Sequence, residues 1–155
     1  MNRAGWWIAA TILVGVCAHA GTAVCTVSAS GVAFGSFNSL PGLSADTNGT
    51  IAVTCRGAVS DTASYTITIT SGMGSFSARR MVAGRDSLTY NLYRDSGCTQ
   101  VWGDGTGSTS AVSDSVTLTS PSITTNYVVY SRIVAGQRTV RANAYSDSLV
   151  VIITY

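Results

Sequence analysis

The sequence contains no lysine and no glutamate: its nine basic residues are all arginine and its seven acidic residues are all aspartate. The single histidine, His19, falls within the first twenty residues. Charged side chains make up 10% of the chain, against roughly 25% in an ordinary soluble domain. Lysine, glutamate and histidine are the commonest general acids, general bases and Schiff-base amines, so their scarcity disfavours most enzyme classes. A formal net charge of +2 provides no basic stripe of the kind a phosphate-backbone binder needs, and nucleic acid is not an expected partner. The aspartates are dispersed, without the Asp-x-Asp-x-Asp-Gly spacing of a calcium loop, so no metal or cofactor is expected.

Long apolar runs are also missing, apart from one at the N-terminus. A short positive start ending at Arg3 leads into an apolar run over residues 4–16 that holds Trp6, Trp7, Ile8, Ile12, Leu13 and Val14. Ala18-His19-Ala20 follows. That three-part order is the pattern of a secretory signal peptide with a small-x-small cleavage site. Residues 1–20 are therefore expected to be a signal peptide, with cleavage after Ala20 preferred over Ala23, and residues 21–155 one domain. The run is shorter than the roughly 20 residues of a membrane span, and no later segment supplies one, so no stable membrane anchor is expected. A lipid anchor on Cys17 does not fit, because Val16 stands where a small residue is required.

A mature chain of about 135 residues is enough for one domain that buries roughly two thirds of its unfolded surface. It retains Cys25, Cys55 and Cys98. In an exporting, oxidising compartment, that number predicts one disulfide and one thiol left over.

What fills the chain is period-two alternation. Residues 65–70 put Tyr65, Ile67 and Ile69 on one face and three threonines on the other; 87–93 put Leu88, Tyr90 and Leu92 inward; 115–119 put Val116 and Leu118 inward. Residues 50–55 align Ile51, Val53 and Cys55, and 24–29 align Cys25, Val27 and Ala29. Such alternation is the mark of strands with one buried and one wet face. Both cysteines then point into the core from early strands, which makes Cys25–Cys55 the preferred pair. The bridge would contribute about 3–4 kcal/mol through loop-closure entropy. Glycine, serine, asparagine and aspartate clusters at 35–49, 56–63, 71–77, 95–97 and 103–110 separate the strands, and Cys98 falls beside one of them as a spare thiol. About seven short strands with this punctuation predict an all-β antiparallel sandwich.

Other constellations carry less. The glycine-rich stretch at 103–108 lacks the Gly-Lys pair of a phosphate-binding loop and reads as a hairpin loop. Cys98 has no histidine in the mature chain to activate it. Arg79, Arg80, Arg132, Arg138 and Arg141 form at most a weak anionic-surface patch, with solvated strand ends the plainer reading. Asn48-Gly49-Thr50 is a glycosylation sequon whose use depends on the source.

The last segment departs from this pattern. Leu149, Val150, Val151, Ile152 and Ile153 are consecutive aliphatic residues, followed by Thr154 and Tyr155. Two readings are open. The segment is a central strand buried on both faces, or it lies beside an incomplete sheet edge that serves as a template for another chain.

In order, Cys25, Phe34-Gly35-Ser36-Phe37, Gly49-Thr50-Ile51-Ala52-Val53-Thr54-Cys55, Leu88-Thr89-Tyr90-Asn91-Leu92-Tyr93, Val101-Trp102-Gly103-Asp104-Gly105, Arg132-Ile133-Val134-Ala135-Gly136-Gln137 and Tyr145-Ser146-Asp147 precede the hydrophobic end at Tyr155. This set resembles the spore coat protein U domain, which is also the pilin domain of archaic, Csu-type chaperone-usher pili. The resemblance implies an incomplete immunoglobulin-like sandwich completed by a donor strand, and the cysteine pair matches the family's bridge. It also implies a periplasmic chaperone, an outer-membrane usher and a neighbouring pilin subunit as partners, with export through the periplasm to the cell surface, a pilus or an extracellular coat. Leu149, Val150, Val151, Ile152, Ile153 and Tyr155 are the expected donor-strand and chaperone-binding edge.

Two departures stand out. Tyr130-Ser131-Arg132 replaces the family's frequent Tyr-Gly-Arg. Cleavage after Ala20 would leave four residues, 21–24, ahead of Cys25, where a donor strand needs about ten alternating residues. The subunit is therefore expected to accept a strand without donating one, at a fibre tip or as a non-polymerising subunit active in adhesion, biofilm or coat formation. The alternative is a stand-alone secreted protein that binds a surface through loops at 72–78 or 102–110, or a spore-coat protein that forms no fibre.

Overall fold

The computed structural model describes residues 23–38 and 42–155. The expected signal peptide and its cleavage site lie outside them. Eight strands are present, and no helix occurs among the described residues: β1 (Val24–Ala29), β2 (Ala45–Arg56), β3 (Thr62–Ile69), β4 (Arg79–Ala83), β5 (Asp86–Tyr93), β6 (Val112–Thr117), β7 (Ser122–Ile133) and β8 (Val151–Thr154). They form a five-stranded sheet in the order β1-β2-β7-β5-β4 and a three-stranded sheet in the order β6-β3-β8. Every named strand pairing is antiparallel.

The alternation predicts the inner faces well. Ile51, Val53 and Cys55 of β2, Tyr65, Ile67 and Ile69 of β3, and Leu88, Tyr90 and Leu92 of β5 are all buried in one core. The wet faces are hydroxyl ladders. Thr62, Ser64 and Thr66 of β3 meet Thr117, Ser115 and Ser113 of β6 at 3.0 Å each, cross-strand pairs of a kind that adds to sheet stability. Cys25 lies opposite Cys55 in the β1–β2 register, and the two are joined as a disulfide across 30 residues of chain.

Several elements depart from the sequence reading. β2 begins at Ala45, inside the stretch read as a loop at 35–49, because Ala45, Thr47 and Gly49 continue the inward row opposite Ile133, Ser131 and Val129. The strand expected at 115–119 lies at Val112–Thr117, with Leu118 buried just beyond its end. β7, twelve residues long, was not legible. Its inward row mixes Ile123, Thr125 and Tyr127 while Val128 points outward, so polarity does not alternate. β4 was likewise missed behind its paired arginines.

Arg79 reverses expectation outright. Instead of a solvated strand end, its side chain is fully buried. Its guanidinium donates to Asn91 Oδ1 at 2.6 Å, to Trp102 O at 2.7 Å and, through Nε and Nη2, to Thr70 O at 3.2 and 3.0 Å. Phe76 covers its face at 5.4 Å. Burial lowers its basicity, and carbonyl dipoles stand in for a carboxylate partner.

Candidate functional site

The two sheets are closed differently along their two flanks. On one flank, Trp102 crosses between them: its backbone N–H donates to Leu92 O of one sheet at 2.9 Å, and its indole N–H donates to Ile67 O of the other at 3.2 Å. Tyr127 of β7 meets Tyr65 of β3 through their hydroxyls at 2.7 Å and donates to Asp114 of β6 at 2.6 Å. Burial first, then the hydrogen bonds to Asp114 and Tyr65, push the Tyr127 phenol above its usual range, so it stays a donor.

On the other flank, β1 ends one sheet and β8 ends the other. The two strands lie alongside each other, yet among the described residues no backbone hydrogen bond joins them. β1 pairs with β2 alone and β8 with β3 alone, leaving each with one row of unpartnered N–H and C=O groups. Between them opens a cavity of about 480 Å³ whose lining includes Ala29, Gly31, Ile51, Ile69, Leu149 and Val151. Val32, Phe34, Met81 and Tyr145 also line a second cavity of about 860 Å³. The two cavities share this wall and reach the core as a groove; Ala29 at the end of β1 and Val151 at the start of β8 bring the two strand edges to the smaller one.

The terminal segment is not the central strand of its first reading. β8 is an edge strand rather than a central one, and its faces differ. Leu149, Val151 and Ile153 pack against the core, whereas Val150, Ile152 and Tyr155 are exposed at 58%, 46% and 61%. Of the six residues expected to form a strand-binding edge, three thus face the groove side and three face outward. On the groove's other wall, residues 29–34, the sequence places Ala29 on an inward face and Phe34 in the family's motif but marks nothing at 30–33. Gly31 and Val32 carry no periodic signal that would have marked them.

The remaining candidates fall elsewhere. Cys98 is a half-buried free thiol whose pKa burial pushes up, the opposite of an activated nucleophile. Asn48 of the sequon is exposed on β2. Asp104 caps its own glycine-rich turn through Thr106 N–H at 2.9 Å and the Thr106 hydroxyl at 2.7 Å. Arg132 is held by Asp46 in a two-pronged pair at 2.7 Å rather than grouped with Arg138 and Arg141. Among the described residues no three histidine, cysteine or acidic side chains gather as a metal site, and no helix is long and apolar enough to cross a membrane.

Comparison with known proteins follows the same line. No curated protein matches. Among solved structures, the crystal structure of the CsuC–CsuE chaperone–tip adhesion subunit pre-assembly complex from the archaic chaperone-usher Csu pili of Acinetobacter baumannii is similar, with a TM-score of 0.55 and 23% identity. The match covers 86% of this chain and 40% of that one, and at this identity it bears on the fold, an immunoglobulin-like all-β architecture. The sequence profile of the Spore Coat Protein U domain matches residues 10–152. The chain belongs to the spore coat protein U domain family.

Proposed function

We propose that this protein is an exported, pilin-like structural subunit of an archaic chaperone-usher system, and that it acts by accepting a β-strand between β1 and β8. The observation that carries the proposal is the open seam, where two strand edges come to one groove. β1 and β8 approach within 8 Å, less than the roughly 9.5 Å that a strand bonded to both requires, so the two edges would part as an added strand pairs its backbone with them and alternate apolar side chains enter the groove. A periplasmic chaperone would supply that strand first, an outer-membrane usher would receive the loaded subunit, and a neighbouring subunit would replace the chaperone in a fibre or coat. Leu149, just before β8, and Val151 and Ile153 of β8 are assigned to the groove side. Val150, Ile152 and Tyr155 are assigned to the outer side of the same edge. The role is mechanical and adhesive, not catalytic.

Within that role, a tip or non-polymerising position follows if residues 1–20 are removed as a signal peptide. Residues 21–24 are too few to span a neighbour's groove. Mass spectrometry of the exported protein is expected to find Gly21 at the N-terminus; a start ten or more residues before Cys25 would overturn the acceptor-only position. A contact with a surface is favoured by Met73, 60% exposed in the loop after β3. Met73→Ser is expected to reduce binding to an apolar surface and leave export unchanged.

The proposal as a whole is tested by export into a periplasm with and without an archaic chaperone. The expected result is a stable one-to-one complex with the chaperone and degradation or aggregation without it. A soluble, monomeric product that neither a chaperone nor an added strand stabilises would overturn it.

A further inference from the structure

The wall of the seam cavity mixes apolar side chains such as Ile51, Ile69 and Leu149 with Ser30, Ser146 and Ser148. Asp147 is the one charged residue among those lining the seam cavity, and its carboxylate collects donors from separate elements. The Tyr90 hydroxyl of β5 donates to Oδ2 at 2.8 Å, the Met73 N–H donates to Oδ1 at 3.1 Å, and the Ser148 N–H donates to Oδ1 at 2.8 Å. Burial, then the hydrogen bond to Asp147 and its negative charge, push the Tyr90 phenol upward. It therefore remains protonated and available to donate.

The chain on either side is tied as well. Just before Asp147, Ser146 exchanges backbone hydrogen bonds with Val82 of β4 at 2.8 and 3.1 Å. Just after it, the Val150 N–H donates to the Thr70 hydroxyl at 3.0 Å and Val150 O accepts from the Thr70 N–H at 3.0 Å. Gly72 makes room for this arrangement. It has a φ of +63, and a Cβ there would collide with the Asp147 carboxylate and approach Leu149 Cδ2 at 2.7 Å.

We propose that Asp147 is a positioning residue for strand acceptance: it fastens the start of β8 to β5 and to the loop after β3, so that the β8 edge stands in place before an incoming strand arrives. The proposal rests on the strand-accepting reading above. Its physical basis is the weakness of β8 by itself. A four-residue strand with one ladder partner lies at the low-stability end of a domain and opens locally. An edge that must be ordered on binding weakens binding, and an edge ordered beforehand does not carry that cost. Aspartate accepts all three bonds, two backbone N–H groups on Oδ1 and the Tyr90 hydroxyl on Oδ2; asparagine would keep the two on Oδ1 and reverse the third, since a phenol oxygen also accepts.

Amide hydrogen exchange on the full chain, paired with uptake of a synthetic peptide of alternating valine and threonine, tests the proposal. Asp147→Ala is expected to speed exchange at Val150 and Ile152, whose N–H groups face β3, about tenfold or more while amides of β2 and β7 keep their protection. Peptide uptake should slow in parallel. Tyr90→Phe, which deletes one of the three donors and keeps the ring, should give a smaller change of the same kind and serves if Asp147→Ala does not fold. Gly72→Ala should resemble Asp147→Ala, because it displaces the same carboxylate. Unchanged β8 exchange in Asp147→Ala, or loss of protection spread evenly over β2, β7 and β8 in both Asp147→Ala and Tyr90→Phe, would overturn the positioning role. Failure of the unaltered protein to take up any strand would instead overturn the strand-accepting reading, and the exchange data would still judge what Asp147 does to β8.

Discussion

The two flanks of this sandwich are built from similar strands and end in opposite states. Where Trp102, Arg79 and the Tyr65–Tyr127–Asp114 chain stand, the sheets are cross-tied by hydrogen bonds that leave no buried polar side-chain atom without a partner among the described residues. Where β1 meets β8, the sheets approach without a backbone hydrogen bond, and apolar residues line an open groove. The closed flank carries much of the stability, and the open flank carries the proposed function. In the proposed role, the closed flank holds the sheets together while the other edge takes up a strand.

Breaking the closed flank should have the largest effect. Trp102 is 1% exposed and bridges both sheets, so Trp102→Ala is expected to destabilise the domain by about 3–5 kcal/mol, measured by urea unfolding. Little change would mean that the sheets do not depend on this bridge. Next comes the covalent tie at the edge of the open flank. Reducing Cys25–Cys55 should remove about 3–4 kcal/mol on the chain-entropy account, read as a lower midpoint in the same titration with a reductant present.

A charge on β8 sharpens the contrast within the open flank itself. Val151 points toward the core and Ile152 away from it, so Val151→Asp should cost about 2 kcal/mol or more and block strand uptake. Ile152→Asp should change stability by about 0.5 kcal/mol or less. Equal effects from the two substitutions would mean that the faces of β8 are not distinct. The smallest effect belongs to the wet face of the larger sheet. The hydrogen bond from Arg132 holds Asp46 below the usual carboxylate range. Any stability from the pair is therefore present above about pH 4 and lost as the pH falls through the lower folded value. The pair is exposed, with side chains 34% and 52% accessible, so the contribution is small. Titration of Asp46 by NMR should give a depressed midpoint that returns toward the ordinary value in Arg132→Ala.

The inner faces of β2, β3 and β5 were legible because aliphatic or aromatic residues alternate there with threonine and serine. The disulfide was legible for the same reason, since the alternation aims both cysteines inward. β7 was hidden because Thr125 takes an inward position and Val128 an outward one. Arg79 was hidden because sequence gives no sign that Thr70 O and Trp102 O will converge on a guanidinium from distant parts of the chain. At the site, the aliphatic run before Tyr155 identified β8 as unusual but not which residues face the groove. That division depends on pairing with β3 at Ile67–Ile153 and Ile69–Val151. The opposite wall near Gly31 was beyond reach, because a seam between two sheets is a property of topology rather than of any local pattern.

Site-specific photo-crosslinking tests the open seam most directly. A photoreactive residue is placed at Val27 of β1 or, separately, at Ile153 of β8, and the protein is exported alongside an archaic chaperone. The account predicts that both positions cross-link to the same extended segment of the partner, while a control at Val128 on β7 does not. Formation of a complex in which Val128 cross-links and neither Val27 nor Ile153 does would contradict it.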